Sequence, residues 1–333
     1  MSDAATRRVT SADVARLAGV SRATVSYVLN DTPRQTISAD TRTRVLDAAT
    51  RLGYAPSAAA RALRTGRSDL VLCLLPDWPI GPEVGALLGH LSAALARHGL
   101  TFIVHPGTRR DRPIADIWKA ITPAAVIAFA DFTDAEIAAM RSAGVALVVA
   151  LLGRDRSRGH ELAVPQRLVG RRQAEHLARA GHTRLGYARP DDERLEIFAA
   201  PRLAGVRDAV RERGLVEPVV DTVALDPGPA AEAVRRWRAA GVTAVCAYND
   251  EVALAVLAGI RARGLAAPAD LAVIGVDDIP PARLAAPALT TVTTDQAALA
   301  GYLAATVVAE VGGGPGPALP AADLVRLIRR ESA

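Results

Sequence analysis

Between Val9 and Asn30 the chain reads VTSADVARLAGVSRATVSYVLN, a pattern that restricts this stretch to two short helices meeting at a tight turn. Val14, Leu17 and Ala18 fall on one face at helical spacing. Gly19 and Val20 turn the chain, and Val25, Val28 and Leu29 form a second face. Thr10 stands three residues before Asp13, the spacing of a capping box, and Ser21 can offer its hydroxyl to the open amides of the second helix. This is a helix-turn-helix pattern. The outer side of the second helix carries Ser21, Arg22, Ala23, Ser26, Tyr27 and Asn30, small or donor-bearing groups that suit a DNA major groove. Arg22 can reach guanine or a phosphate, Ala23 a thymine methyl, and Tyr27 a base edge. An ordinary helical bundle with a solvated face has the same spacing. Ser38 is expected to cap a third helix, in which Val45, Ala48, Ala49 and Leu52 face one side before Gly53 ends it, so that three helices close one small core.

Charge separates the two readings of that face. Residues 1–67 hold 11 Arg and no Lys against 5 Asp and no Glu, a balance of +6, whereas the whole chain carries +5, which leaves −1 for the remainder. The positive excess sits on the small helical part, as a phosphate-binding module requires. At 333 residues the chain is long enough for two or three domains. Cys73 and Cys246 each lie in an apolar strand-like run, far apart in sequence, and are expected to be buried thiols. No metal or cofactor is expected. There is no apolar leader and no uninterrupted apolar run of about 18 residues, so secretion and membrane insertion are disfavoured and a cytoplasmic protein is expected.

Three blocks, VTSADVARLAGVSRATVSYVLN, TRTRVLDAATRLGY and PSAAARALRTGRS, together resemble the lac/galactose repressor family of bacterial transcription regulators. They cover the first 68 residues with almost no gaps. The resemblance implies a double-stranded DNA operator as partner and a hinge over Tyr54 to Arg64 that folds to a helix on it. Ser57, Ala60, Arg61, Leu63 and Arg64 would then meet the minor groove, with Leu63 wedged into a central base step. Contact of Leu63 with its counterpart in a homodimer is the other reading of that residue.

From Ser68 the pattern alternates strand and helix. Strands are expected at 70–75, 101–105, 124–129 and 145–151, with helices at 83–98, 114–120 and 134–142 between them. A second round gives helices at 168–180, 201–213, 230–239 and 251–263 and strands at 185–188, 219–223, 244–247 and 271–276. A final helix at 295–311 and a strand at 323–328 follow. Gly144, Gly181, Gly214, Gly241 and Gly264 stand where helices should end. The expected fold is an all-α helix-turn-helix head joined by a hinge helix to an α/β core of two doubly wound parallel-sheet subdomains. By resemblance this core is periplasmic-binding-protein-like, with crossings near Val164, Thr293 and Pro320. The expected divisions are a head at 1–55, a hinge at 56–67, one subdomain at 68–163 with 294–319, and another at 164–293 with 320–333.

Ligands of such sheets bind at the carboxyl ends of the strands. Those ends carry Pro76 to Pro79, Asp131 and Phe132, Asn249 and Asp250, and Asp277 and Asp278. By resemblance, Arg202 in APRLAGVRDAV, Asn249 in AYNDEVAL and Asp277 in GVDDIP match positions that hold effector hydroxyls. Trp78, Phe132 or Tyr248 could stack on a sugar face, and Trp78 could equally be packing. Asp250 reads as a helix cap and Asp278 as a turn residue. The pattern departs from the family at Leu152 and Gly153, at Pro165, Gln166 and Arg167, and at Thr294 and Gln296. Thr294 is carried as an effector contact, and Arg167 could meet an acidic ligand.

No enzyme motif competes. G-x-S-x-G, a Gly-Lys-Ser/Thr phosphate loop and CxxC are absent, HELAV at His160 has Val164 in place of a second zinc-binding His, and the Gly312 to Gly316 run reads as a surface connection. His98 and His182 flank helix-ending glycines, where a positive charge would suit the helix dipole. The reading is a homodimeric transcription regulator, most often a repressor in this family, that binds a pseudo-palindromic operator and answers to a sugar-like or other small metabolite. Two alternatives stay open: a small-solute binding protein that retains a head, and a DNA binder with no effector response.

Overall fold

The computed structural model describes residues 9–29, 36–54, 68–106, 114–129, 132–149, 166–317 and 324–333, with the backbone alone at 114–116 and 147–149. Asn30 and the hinge residues Ser57, Ala60, Arg61, Leu63 and Arg64 lie outside the described residues. The chain divides into two compact units, residues 1–69 and 70–333.

In the first unit, α1 (Ser11–Ala18), α2 (Arg22–Leu29) and α3 (Ala39–Leu52) enclose one core. The Thr10 amide and hydroxyl both donate to the Asp13 carboxylate, at 3.0 and 2.7 Å, and Ser21 Oγ accepts from the Thr24 amide at 3.1 Å. Such caps satisfy amides that a helix start leaves open, worth about 1 kcal/mol each. Gly19 makes the turn in left-handed conformation, at φ 66°. Val14, Ala15, Ala18, Val25, Val28, Val45, Ala48 and Ala49 are buried together. Leu17 is the exception to the expected face: it is 45% exposed, and Ala15 is buried in its place.

The second unit contains two sheets. The first has the order β2-β1-β3-β4, all parallel, formed by β1 (Leu70–Leu75), β2 (Thr101–Pro106), β3 (Ala125–Ala128) and β4 (Ala146–Val149). Its connecting helices are α4 (Pro82–Ala96), α5 (Ile114–Ile121) and α6 (Asp134–Ser142). Val71, Cys73 and Leu75 face one side with Leu91 and Leu95 of α4, while Leu72 and Leu74 face the other with Trp118, Ile137 and Met140. A strand buried on both faces must be continuously apolar, which explains LVLCLL.

The second sheet has the order β10-β9-β8-β7-β5-β6. It uses β5 (Leu185–Pro190), β6 (Val219–Val223), β7 (Ala244–Ala247), β8 (Ala272–Val276), β9 (Thr290–Thr294) and β10 (Val325–Ile328). The helices here are α7 (Gln166–Arg179), α8 (Glu196–Glu212), α9 (Pro227–Ala239) and α10 (Asp250–Ala262). After β9, α11 (Gln296–Gly312) packs Leu299, Leu303 and Val307 on the first sheet, and β10 then pairs antiparallel with β9. The antiparallel edge is an addition to the expected parallel winding. β9 was not expected as a strand, since TTVTT lacks an apolar face. Its buried hydroxyls are instead satisfied: Thr291 donates to Asp250 at 2.6 Å and Thr290 to the Ala333 carbonyl at 3.1 Å. Cys73 and Cys246 are free and buried, and burial pushes both thiols up, that of Cys73 to about 12.

Two departures bear on the cleft. Helix α8 starts five residues before the expected Pro201, which sits inside it without the amide that the Ile197 carbonyl would accept. The early turn is held by Tyr187 Oη donating to the Ala199 carbonyl at 3.2 Å and by the Arg189–Glu196 pair at 2.8 Å. Then α7 and α8 cross at glycines. A Cβ on Gly170 would lie 1.8 Å from the Arg202 carbonyl oxygen and one on Gly205 1.8 Å from that of Arg167, both fixed backbone. Gly205→Ala should therefore force the helices apart, destabilising the unit by about 1–3 kcal/mol. Differential scanning calorimetry reads this as a lower unfolding midpoint, and an unchanged midpoint contradicts the crossing.

Candidate functional site

Helix α2 presents its candidate groups as the spacing required. Ser21, Arg22 and Ala23 are exposed, Ser26 and Tyr27 half-buried, and Val25 and Val28 anchor the opposite side. The face is positioned by the Ser21 cap and the Gly19 turn, so its side chains are displayed from a rigid element.

In the second unit, strand ends from both sheets border a cavity of about 150 Å³. Its centre is Arg202 on α8, buried and held on several sides. Nε donates to Gln166 Oε1 at 2.6 Å, Nη1 donates to the Tyr248 carbonyl at 2.7 Å, and Nη2 lies 3.6 Å from Asp277 Oδ1. The guanidinium also covers the Tyr248 ring at 4.8 Å. The close α7–α8 crossing sets this position. Asp277 follows β8 at φ 107°, a strained conformation for a non-glycine, and its amide donates to the Val292 carbonyl at 2.7 Å.

Trp78, after β1, meets Phe129 at 5.7 Å and Phe198 of α8 at 4.8 Å, both edge-on. The Asp77–Arg194 pair at 3.4 Å is a second link between the two halves. Glu83 on α4 accepts from Gln296 Nε2 of α11 at 2.5 Å. Burial, aided by the Asp277 and Asp278 charges and opposed by Gln296 and Arg202, pushes the Glu83 carboxyl up to about 7. Burial likewise raises Asp277, with Glu251 adding to the rise and Arg202 opposing it, and raises Asp250 to about 8.

Of the expected effector residues, Trp78, Arg202, Asn249, Asp277 and Thr294 border this one cavity. Phe132 does not. It is buried on the far side of the first sheet with Leu72, Trp118 and Met140, and Phe129, one turn of chain earlier, takes the cavity position. The strand ends sooner than its apolar run suggested, which shifts the register of the inward residue. Asn249 rather than Asp250 caps α10, accepting from the Val252 amide at 2.9 Å. Asp250 is buried behind it and accepts from the Ile279 amide at 2.9 Å and from Thr291. Asp278 accepts from Arg330 at 2.6 Å. Arg167 pairs with Asp208 across α7 and α8 and is not in the cavity wall. His182 holds Thr243 at 2.9 Å and burial lowers its pKa, so it is not the expected cation at a helix end. Glu83, Gln166, Phe198, Glu251 and Gln296 were missed as cavity groups. Only Gln166 and Gln296 had a signal, as departures from the family pattern.

Comparison with known proteins follows the same division of the chain. A family model described as bacterial regulatory proteins, lacI family, matches residues 10–57, and one described as a periplasmic binding protein-like domain matches residues 174–333. The HTH-type transcriptional regulator GalS of Salmonella typhimurium is 32% identical over 88% of this chain and 87% of that protein. Among solved structures, the lac repressor dimer bound to operator and the anti-inducer ONPF superposes with a TM-score of 0.79 at 22% identity, covering 98% of this chain and 99% of the other. A complex of the transcriptional regulator CelR with cellobiose gives a TM-score of 0.64 at 27% identity, over 98% of this chain and all (100%) of that one.

The raised carboxyl of Glu83 has a measurable signature. It favours the folded state while protonated, so its contribution is full below the ordinary glutamate range and is lost as pH rises through about 7. Asp250 and Asp277 slope the same way. Glu83→Gln should therefore lose less stability than the parent between pH 5 and pH 8 in matched thermal melts. Parallel curves would contradict the raised carboxyl.

Proposed function

The chain belongs to the lacI family of bacterial regulatory proteins and is a DNA-binding transcription regulator, and on that premise we propose that it is a homodimeric, effector-controlled repressor acting in the cytoplasm. Among the described residues no helix is long and apolar enough to cross a membrane. The observation that carries the proposal is the pairing, in one chain, of an exposed donor face on α2 with a cleft built around Arg202 and Asp277. Arg22, Ala23, Ser26 and Tyr27, with Ser21 and Asn30 at the helix ends, read base edges. Ser57, Ala60, Arg61, Leu63 and Arg64 form the hinge that enters the minor groove between half-sites. Trp78, Arg202, Asn249, Asp277 and Thr294 hold the effector, which alters the angle between the two sheets and thereby DNA affinity.

The deciding experiment selects fragments of the source genome with the full chain. A preferred fragment should be recovered, Arg22→Ala should bind it more weakly or change the preferred base by about 1–3 kcal/mol, and a metabolite of the neighbouring genes should release it. Asp277→Asn should bind the fragment but resist release. Recovery without preference would refute the DNA reading, and binding that no metabolite pool alters would refute effector control.

A surface of the second unit suits self-association. β2 is a sheet edge whose adjacent residues Ile103 and Val104, pointing to opposite faces, are 37% and 36% exposed. Next to it α4 exposes the small residues Gly85, Ala86, Gly89 and Ala93, against which a second copy can approach closely. Ile103→Glu should raise the dimer dissociation constant at least about ten-fold by placing a charge in a desolvated contact. Sedimentation equilibrium reads this, and an unchanged dimer puts the interface elsewhere.

A further inference from the structure

We propose that the ligand of the cleft carries a protonated amine, seated against Glu83 beside Gln296, on an apolar or ring-shaped body that contacts Trp78, Phe129 and Phe198. This rests on the reading of the cleft as an effector site and names the chemical class of the effector.

Charge balance is the first observation. Glu83, Glu251 and Asp277 border the cavity, and among the described residues the facing cation from its wall is Arg202. That guanidinium is already engaged by Gln166, the Tyr248 carbonyl and ring, and Asp277. Glu83 is left with the neutral amide of Gln296, and Glu251 with that of Asn249 at 3.4 Å. Among the described residues neither forms an ion pair. Glu251 is exposed at the rim, but Glu83 is half-buried in a largely apolar space without a cation, so its carboxyl is pushed up to about 7, and an incoming ammonium restores the charged form.

The second observation is independent of charge. Gln296 Nε2 donates to Glu83, while its Oε1 is buried and, among the described residues, accepts no hydrogen bond. The amide beside Glu83 is thus only half satisfied, and a group with several donors, such as an ammonium with three, is the kind of neighbour that could complete it. The third is the wall. Trp78, Phe129 and Phe198 lie in edge-to-face contact at the same cavity. Aromatic rings around a small space attract cations and apolar rings alike. A neutral polyol satisfies the acceptors but leaves the charge balance as it was.

The test uses the full chain at pH 7.5 and two matched pairs, cyclohexylamine against cyclohexanol and benzylamine against benzyl alcohol, with galactose and cellobiose alongside, their affinities read by ligand-observed NMR titration. Each amine should bind at least about ten-fold more tightly than its alcohol. The preference should collapse toward unity in Glu83→Gln and shrink in Glu251→Gln, with thermal melts establishing that each variant is folded. Equal binding within the pairs, preference for the alcohols or sugars, or no binding of either amine overturns the inference. A preference for neutral sugars that release the selected DNA fragment would overturn the amine while leaving effector control standing. Loss of operator recognition itself would instead fall on the reading beneath it.

Discussion

The arrangement of the second unit depends on keeping one guanidinium dry. Arg202 reaches the cavity from the inside of a helix, and a buried charge persists only when its donors are matched and an opposite charge is near. Gln166, the Tyr248 carbonyl and Asp277 meet those demands from three separate elements. Each requires its own local arrangement. Gly170 and Gly205 let α7 and α8 touch so that Gln166 and Arg202 meet, and the chain after β8 takes φ 107° at Asp277 so that its carboxylate turns inward. The strain at Asp277, of order 1–3 kcal/mol, is tolerated because its amide is tied to β9 and its side chain to the guanidinium.

A second layer of polar groups supports the first. Asp250 lies behind Asn249, joined to Thr291 and to the Ile279 amide, and links the start of α10 to β9 and to the chain after β8. Gly275 leaves room for it, since a Cβ there would lie 2.0 Å from Asp250 Oδ1. The cap of α10, the loop bearing Asp277 and the threonine-rich strand are thus held as one piece, so the residues of the second sheet that border the cavity move together.

The head was legible in nearly full detail because its determinants are local. Capping boxes, a left-handed glycine and apolar spacing act over a few residues, and the one error is Leu17. The alternating strands and helices were legible for the same reason, and the place of Arg202, Asn249 and Asp277 at the cavity was legible through the family pattern. What escaped was tertiary. TTVTT becomes a central strand only because Asp250 and Ala333 satisfy its hydroxyls. Phe132 and Phe129 exchange roles because a strand ends two residues before the apolar run does. Glu83 could not be found at all, since nothing in PEVGALLGH foretells that Gln296, 213 residues away, will bring it into a cavity.

The contacts that close the cavity are weak compared with those that build either sheet. Trp78 against Phe198 is worth about 0.5–1.5 kcal/mol beyond area, and the solvent-exposed Asp77–Arg194 pair adds little because water screens it. Each sheet, by contrast, buries a continuous apolar core on both faces. On the proposed effector control, a balance between closed and open arrangements would turn on these few contacts, while the sheets themselves stay intact. Moving such a balance from nearly all of one state to nearly all of the other takes about 5.5 kcal/mol of differential affinity. A ligand that touches Trp78 and Glu83 on one side and Phe198 and Asp277 on the other gains contacts only when both walls are present. On that proposal, occupancy would become a change of angle because each half is held by its own core while the contacts between them are few and weak.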